Sequence, residues 1–587
     1  MNHTELLGSH EPSVEVKRGE RSYEVQTPTY SMVFHHDTPY IDLRDTAGER
    51  WMQILKASQV ATSTDTDVTY EFGTPSYETA PDGGAVIRIP SINESGGYKE
   101  QTWICHPDFI ETSVTAELSG DLRSIELLGG TIVAPNLFGQ SMSERYFDSV
   151  YNPQPSEREQ AVMPAAESTH ITTSGMWKPG RRREFLITPF VYGFHRSAPK
   201  HSGNNWLMAG ISAPVADQNI VEYSYSARED GFSLTLAYDS VKNSGHYATS
   251  PTLLLHFAPE PLRGLDDFKQ HATELGHLPV LSTPKAAGWH RDATFVSWGH
   301  QLELERSHRE RGVTIPARDF ASEAVITQAI TMLDDHGVHV GKIVIDDKWQ
   351  TYYGTNTPDV NKWPDLAKFN RTQHELGRHV LLWVKLFDPE GLPPELCILD
   401  THGRPVASDP TNPMYIDALR SQVYTLLSPQ NINADGLKLD FLAQLPHGPG
   451  LRWHGPKRGH AALHELLKHI YDEAKNTKSD SLIEAQMVSP WFADTLDQVR
   501  LNDTNERHPV VKTMGSRALL AKTLLPGYSI DPDGWPMRDK KAWLTYIDAQ
   551  PELAGTVTTH FAESVNGQPL TKKDYHRLAR AIQKSKT

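Results

Sequence analysis

Gly436-Leu437-Lys438-Leu439-Asp440-Phe441 is a short apolar, β-prone run that ends on a carboxylate, and two other segments of the C-terminal half repeat the pattern. They are Ile345-Asp346-Asp347-Lys348-Trp349-Gln350 and Val499-Arg500-Leu501-Asn502-Asp503. Around them, candidate strands at 293–298, 340–346, 380–386, 436–440, 481–486, 498–501, 524–530 and 555–559 alternate with amphipathic stretches at 321–336, 364–376, 414–427, 460–474 and 575–584. Eight strands, each followed by a helical pattern and recurring every ~35–50 residues, predict a (β/α)8 barrel. An open doubly wound sheet fits the alternation too, but no GxGxxG turn follows the first strand, so its dinucleotide-binding version has no support. In a parallel barrel the C-terminal strand ends converge on one mouth, where such folds do their chemistry.

The first half has a different character. Phe232, Leu234, Leu236 and Tyr238 fall on one face of a period-two run, as do alternating residues of 23–27 and 113–118, and turn signals such as Pro81-Asp82-Gly83-Gly84 and Glu94-Ser95-Gly96-Gly97 punctuate the segments. Many short strands with Gly/Pro turns predict an antiparallel β-sandwich. The expected organisation is a sandwich over 1–262, a linker with a helix over 263–284, and the barrel over 285–587.

Composition narrows the function. With 38% hydrophobic and 22% charged residues the chain reads as globular, and a formal charge of −16 opposes phosphate backbones and anionic membranes. The one basic run, Arg181-Arg182-Arg183, is followed at once by Glu184 and reads as a solvated loop or strand edge. Two cysteines, Cys105 and Cys397, outside any CxxC pattern indicate neither a disulfide framework nor a thiolate metal site. The start, Met1-Asn2-His3-Thr4-Glu5, shows no basic or apolar region of a signal peptide, and no apolar run approaches the ~20 residues of a membrane span, so a cytoplasmic location is expected. Thirteen Trp and 21 Tyr supply core aromatics, and also rings of the kind that line sugar clefts.

Lys438 and Asp440 are two residues apart on one strand and share a face, so an ammonium would sit beside a carboxylate and keep it ionised, as a nucleophile at a sugar C1 requires. Asp503, near Arg500 just past the sixth strand, could flank the same glycosidic bond; carboxyl groups about 5–5.5 Å apart give retention and about 6.5–9.5 Å inversion. Asp346 and Asp347 can both face one site only where the chain turns at a strand end, and there they would bind sugar hydroxyls, with Trp349 and Trp383 as apolar walls. Glu484 and Gln486 end the fifth strand and Asp531 and Asp533 follow the seventh, as substrate contacts or mouth-lining residues; Asp494 and Asp497 rank behind Asp503. His460, His464, Glu465 and His469 give HExxxH, not the HExxH spacing of a zinc helix, so no metal site is expected.

These motifs resemble the retaining α-glycosidase clan that contains α-galactosidases and raffinose-synthase-like proteins (glycoside hydrolase families 36 and 27) and, more distantly, family 31. Asp346-Asp347-Lys348-Trp349-Gln350 is similar to the DDGW(Q) motif, Lys438-Leu439-Asp440 to the nucleophile's KxD, and Asp503 with Arg500 to the acid/base segment. Lys348 stands where that motif has a small residue, and Lys362-Trp363-Pro364-Asp365-Leu366 with Leu382-Trp383-Val384 reads more like family 31. The resemblance implies double displacement with Asp440 as nucleophile and Asp503 as acid/base, and no metal or organic cofactor. It further implies sugar contacts from Asp346, Asp347, Trp349, Trp383, Lys438, Glu484 and Arg500, and a preference for galactose through its axial O4. The expected partner is a small carbohydrate, an α-glycoside or oligosaccharide, with neither nucleic acid nor membrane involved and homo-oligomerisation left open. Alternatives are a family 31-like α-glucosidase or other α-glycosidase, a transglycosidase of raffinose-synthase type, and a catalytically inactive carbohydrate-binding barrel.

Overall fold

The computed structural model describes residues 14–81, 83–134, 137–138, 142–154, 160–173, 175–176, 186–197, 205–241, 246–281, 287–504 and 506–586, so the Arg181–Glu184 run and Asp82 of the first turn lie outside the described residues. The chain divides into two compact units. One comprises 1–153, 160–171 and 189–279, and the other 154–159, 172–188 and 280–587.

The first unit is an antiparallel β-sandwich. Strands Glu15–Arg18, Ser22–Gln26, Tyr30–His35, Tyr40–Asp45 and Arg50–Leu55 form a meander in sequence order and continue through Ser143–Arg145, Gly231–Val241, Leu122–Leu128 and Gln59–Thr62. The second sheet runs from Val162–Pro164 through Ser149–Tyr151, Val191–His195, Trp206–Ser212, Thr252–Ala258, Phe109–Glu117, Tyr98–Cys105 and Ala85–Asn93 to Thr69–Phe72. Alternation does the work that the sequence predicts: Tyr30, Met32 and Phe34 are buried while their neighbours are half-exposed, and Phe232, Leu234 and Leu236 are buried on one face, with Ser233 between them buried as well and Tyr238 half-buried. The two inner faces meet in one core that includes Trp51, Trp103, Tyr192 and Tyr223. Helix Pro261–Glu274, expected in a linker, packs Phe268 against Gly210 of strand Trp206–Ser212, where a Cβ would come 2.4 Å from the Phe268 ring.

The second unit is a parallel barrel. Its strands are β1 (Thr294–Val296), β2 (Lys342–Ile345), β3 (His379–Lys385), β4 (Gly436–Asp440), β5 (Leu482–Ala485), β6 (Gln498–Arg500), β7 (Ser529–Asp531) and β8 (Thr558–Thr559). Their ladder runs 7-6-5-4-3-2-1-8. Among the described residues the β7–β8 seam is spanned by side chains: Thr558 Oγ1 donates to Asp531 and His560 Nε2 to Asp533. Helices α1 (Ser297–Glu310), α2 (Glu323–Asp335), α3 (Leu366–Glu375), α4 (Pro413–Leu427), α5 (Gly459–Thr477), α6 (Val510–Leu524), α7 (Lys540–Ala554) and α8 (Lys572–Ser585) follow the strands. Three local expectations shift. The first strand stops at Val296 because α1 begins at Ser297; α6 runs on to Leu524, which moves β7 to Ser529; and β5 is followed only by a 3-10 turn, Pro490–Thr495.

The strands are buried on both faces and read as near-continuous apolar runs, as in Lys342-Ile343-Val344-Ile345. Inward positions follow the pleat: Lys342, Val344 and Asp346 on β2, Leu381, Trp383 and Lys385 on β3, Gly436, Lys438 and Asp440 on β4. Val344, Leu381 and Leu482 pack with Val296 as an apolar layer, and the registers Trp383↔Lys438, Lys438↔Glu484 and Glu484↔Gln498 place a polar layer above it. Gly436 sets the β4–β5 approach, since a Cβ there would lie 2.2 Å from the Leu482 carbonyl oxygen. Gly175–Met176 pair in parallel with Pro446–His447, and Ile187 bridges to Met487, just beyond β4 and β5. Among the described residues no helix is long and apolar enough to cross a membrane.

Gly436→Ala must push β4 from β5, and overpacking of this kind costs about 1–3 kcal/mol. The variant should therefore unfold at lower denaturant than wild type, and an unchanged midpoint contradicts the close-approach account.

Candidate active site

The three acidic strand ends meet at the C-terminal end of the barrel and are linked by two buried cations. At the end of β2, the Asp346 N–H donates to Ser297 Oγ (2.9 Å), and Gln301 of α1 donates to the Asp347 carbonyl (3.2 Å), so the start of α1 clamps this turn. Asp346 Oδ1 accepts the Asp347 N–H (2.8 Å), and its Oδ2 accepts Lys438 Nζ (2.9 Å). Asp347 accepts the Tyr353 hydroxyl (2.7 Å); burial raises its carboxyl above the usual range, with the adjacent Asp346 adding to the effect.

Lys348 turns the chain away from the strand end directly after the two carboxylates. Its φ is +74°, in the left-handed region. A small residue suits that conformation. Here Lys348 is retained by an ion pair with Glu390 (2.5 Å) and by its ammonium 3.8 Å above the Tyr353 ring. Left-handed residues also follow β3 (Phe387, +63°), β4 (Phe441, +62°) and β6 (Asn502, +67°).

Asp440 ends β4 and accepts the Trp383 indole N–H (2.9 Å), the Phe441 backbone N–H (2.8 Å) and Arg500 Nη1 (3.3 Å). The sequence pairs Lys438 with Asp440, and the structure corrects this. Lys438 reaches across the barrel to Asp346 and to Asp533 (2.9 Å each), while Arg500 from β6 is the cation beside Asp440. Burial works against the Lys438 charge, yet Asp346 and Asp533 outweigh it and hold the ammonium above its ordinary value. Arg500 Nη2 donates to Asp503 (2.6 Å), its Nε to Asp533 (2.7 Å), and its Nη1 also to Gln486 (2.8 Å). Burial of the Asp503 head raises its carboxyl against the pull of Arg500, helped by Asp440 and Asp533; the side chain still keeps 35% of its exposure.

Two expected walls differ in kind. Both rings are buried, but Trp383 donates to Asp440 and stands edge-on to Tyr353 and Phe441, whereas Trp349 donates to the Trp383 carbonyl (2.8 Å) and braces β3. Glu484 lies below the mouth at 1% exposure, and burial together with Asp531 pushes it well above the usual carboxylate range. Asp533 is fully buried and cannot line the mouth. Asp494 pairs with His464 and Asp497 with Lys475, away from the acidic ends. His469 meets Arg420, Glu465 meets Lys457, and among the described residues no cluster of three His, Cys, Asp or Glu could hold a metal.

Sequence reasoning missed Tyr353, Ser297 and His560. His560 was open to the strand-end rule applied to Thr558-Thr559-His560, whereas Tyr353 and Ser297 carry no local signal.

No protein-family model matches the chain, and no curated protein matches it. Solved structures do. A GH31 family sulfoquinovosidase from E. rectale, in complex with an aza-sugar inhibitor, is 12% identical with a TM-score of 0.56, covering 97% of this chain and 82% of that one. A cycloalternan-forming enzyme from Listeria monocytogenes, in complex with a pentasaccharide substrate, is 11% identical with a TM-score of 0.55; the match covers 99% of this chain, which spans only 49% of that protein. An α-galactosidase from Thermus thermophilus, in complex with stachyose, is 14% identical with a TM-score of 0.51, covering 87% of this chain and 99% of that one. At these identities the likeness establishes the fold, a β-sandwich with a (β/α)8 barrel, common to the α-galactosidase and GH31 branches that the motifs resemble.

The left-handed turn makes a direct prediction. A β-branched residue at 348 is disfavoured by ~1–2 kcal/mol relative to glycine, so Lys348→Val should unfold at clearly lower denaturant than Lys348→Gly. Equal midpoints would contradict the assigned backbone.

Proposed function

We propose that this chain is a retaining α-glycoside hydrolase, most nearly of α-galactosidase type, that removes a terminal α-linked sugar by double displacement. The observation that carries the reading is that one buried guanidinium, Arg500, holds two carboxyls from different strand ends, Asp440 and Asp503, and that burial pushes Asp503 towards its protonated form.

In this reading Asp440, held by Trp383, Phe441 N–H and Arg500, attacks the anomeric carbon. Asp503 gives its proton to the departing glycosidic oxygen. The glycosyl-Asp440 ester is then opened by water, whose proton returns to Asp503. Asp346 and Asp347 accept hydroxyls of the terminal sugar, with Lys438 beside them and Trp383 as the wall. A sugar hydroxyl in place of water would make the same site a transglycosidase, which added acceptor would reveal in the products.

The pH dependence follows with its sign. Asp503 must be protonated to assist departure, and its carboxyl is raised in the folded protein, so activity falls as pH rises through that raised value. Asp440→Ala should lose ~10⁴-fold or more in kcat. Asp503→Ala should lose ~10²–10⁴-fold on substrates with poor leaving groups, little on activated aryl glycosides, and its basic limb. A screen of aryl α-glycosides of galactose, glucose, N-acetylgalactosamine, xylose and sulfoquinovose, with NMR of the first-formed anomer, tests the whole reading. An α-product supports retention; a β-product, or near-wild-type turnover by Asp440→Ala, rules it out.

A further inference from the structure

We infer that Asp533, which takes no part in the proposed bond-making steps, is the positioning residue that sets the sugar-reading, nucleophilic and acid/base carboxyls in register, with His560 as its third anchor; this rests on the roles proposed for Asp440 and Asp503. The geometry is specific. Asp533 Oδ2 accepts both Lys438 Nζ (2.9 Å) and Arg500 Nε (2.7 Å), and Oδ1 accepts His560 Nε2. Its own N–H donates to Asp531 Oδ1 (3.0 Å), which fixes the carboxylate on the residue that ends β7. Lys438 goes on to Asp346, and Arg500 goes on to Asp440 and Asp503. The ionic path from the acid of β2 to those of β4 and β6 therefore crosses a single carboxylate oxygen.

Asp533 has no exposed surface, so it cannot meet a sugar and must act through the cations. Two buried cations that share one anionic oxygen would repel each other without it, and each would be free to turn towards another carboxylate. His560 adds a geometric constraint. It comes from just beyond β8, and with Thr558 and Asp531 it spans the β7–β8 seam, so the anchor of the site is also part of barrel closure. The carboxylate is turned towards groups from β4, β6 and β8, its backbone N–H towards Asp531 of β7, and the buried Glu484 of β5 acts on the Lys438 that Asp533 holds. Purely structural ion pairs would hold the barrel without linking these particular acids.

The test compares Asp533→Asn, His560→Phe and Asp440→Ala on one aryl α-glycoside with a poor leaving group. Asp533→Asn keeps the side-chain shape and removes the charge. The expected result is at least a tenfold loss of kcat and a basic limb of kcat/KM moved to lower pH, because one carboxylate that helps Asp503 keep its proton is gone. His560→Phe keeps a ring beside Trp535 and loses only the bond to Asp533, so it should show a three- to tenfold loss of kcat with a melting temperature near wild type. If Asp533→Asn does not fold, His560→Phe decides. Folded variants with wild-type kcat and an unmoved limb, beside an inactive Asp440→Ala, overturn the positioning role alone. An active Asp440→Ala overturns the parent reading, and this inference with it.

Discussion

The buried guanidinium of Arg500 is the constraint around which the barrel end is organised. At 3% exposure it cannot rely on water, and its donors go to Asp440, Asp503, Asp533 and Gln486. Removing one partner of a buried pair costs about 3–5 kcal/mol, so the arrangement is stable only as a whole. Lys438 extends it to Asp346 through the same Asp533 oxygen. Few alternative geometries satisfy two cations and four carboxylates in so little space, and this fixes the strand-end acids more tightly than the loops that carry them could.

The backbone beyond the strands also bears on the site. Lys348, Phe387, Phe441 and Asn502 are non-glycine residues in left-handed conformations one to three residues past the ends of β2, β3, β4 and β6. Each such residue costs of order 1–3 kcal/mol, and strain of this sort persists where the surroundings over-determine it. Here the surroundings are identifiable: Glu390 and Tyr353 hold Lys348, and Trp383 packs edge-on against Phe441 while bonding the carboxylate that precedes it. Beside these turns the Asp347 N–H reaches back to Asp346 and the Phe441 N–H to Asp440.

Much of this was legible in the sequence, for a physical reason. Parallel strands buried on both faces leave continuous apolar runs, and a charged residue at the end of such a run stands out; seven of the eight barrel strands lie where those runs predict, with β7 displaced towards its C-terminal end, and the alternating strands of the sandwich lie where theirs do. What failed was local or long-range. The start of α1 at Ser297 and the extension of α6 to Leu524 are boundary effects that periodicity does not resolve. The partner of Lys438 was misjudged because proximity along one strand says nothing about which side chain faces it across a barrel: Asp346 and Asp533 are far away in sequence yet adjacent in space. Trp349 shows the same limit, since an aromatic beside an acidic motif looks like a sugar platform until its burial behind Trp383 is seen.

The proposal turns on Asp440 forming a covalent bond to the sugar, and that bond can be observed directly. A fluorinated α-glycosyl fluoride of the preferred sugar slows hydrolysis of the glycosyl-enzyme enough to trap it for peptide mass spectrometry. The account predicts one added glycosyl group on the peptide that contains Asp440, with no label in Asp440→Ala. Label on another carboxylate, or no label from an enzyme whose first product is inverted, would contradict it.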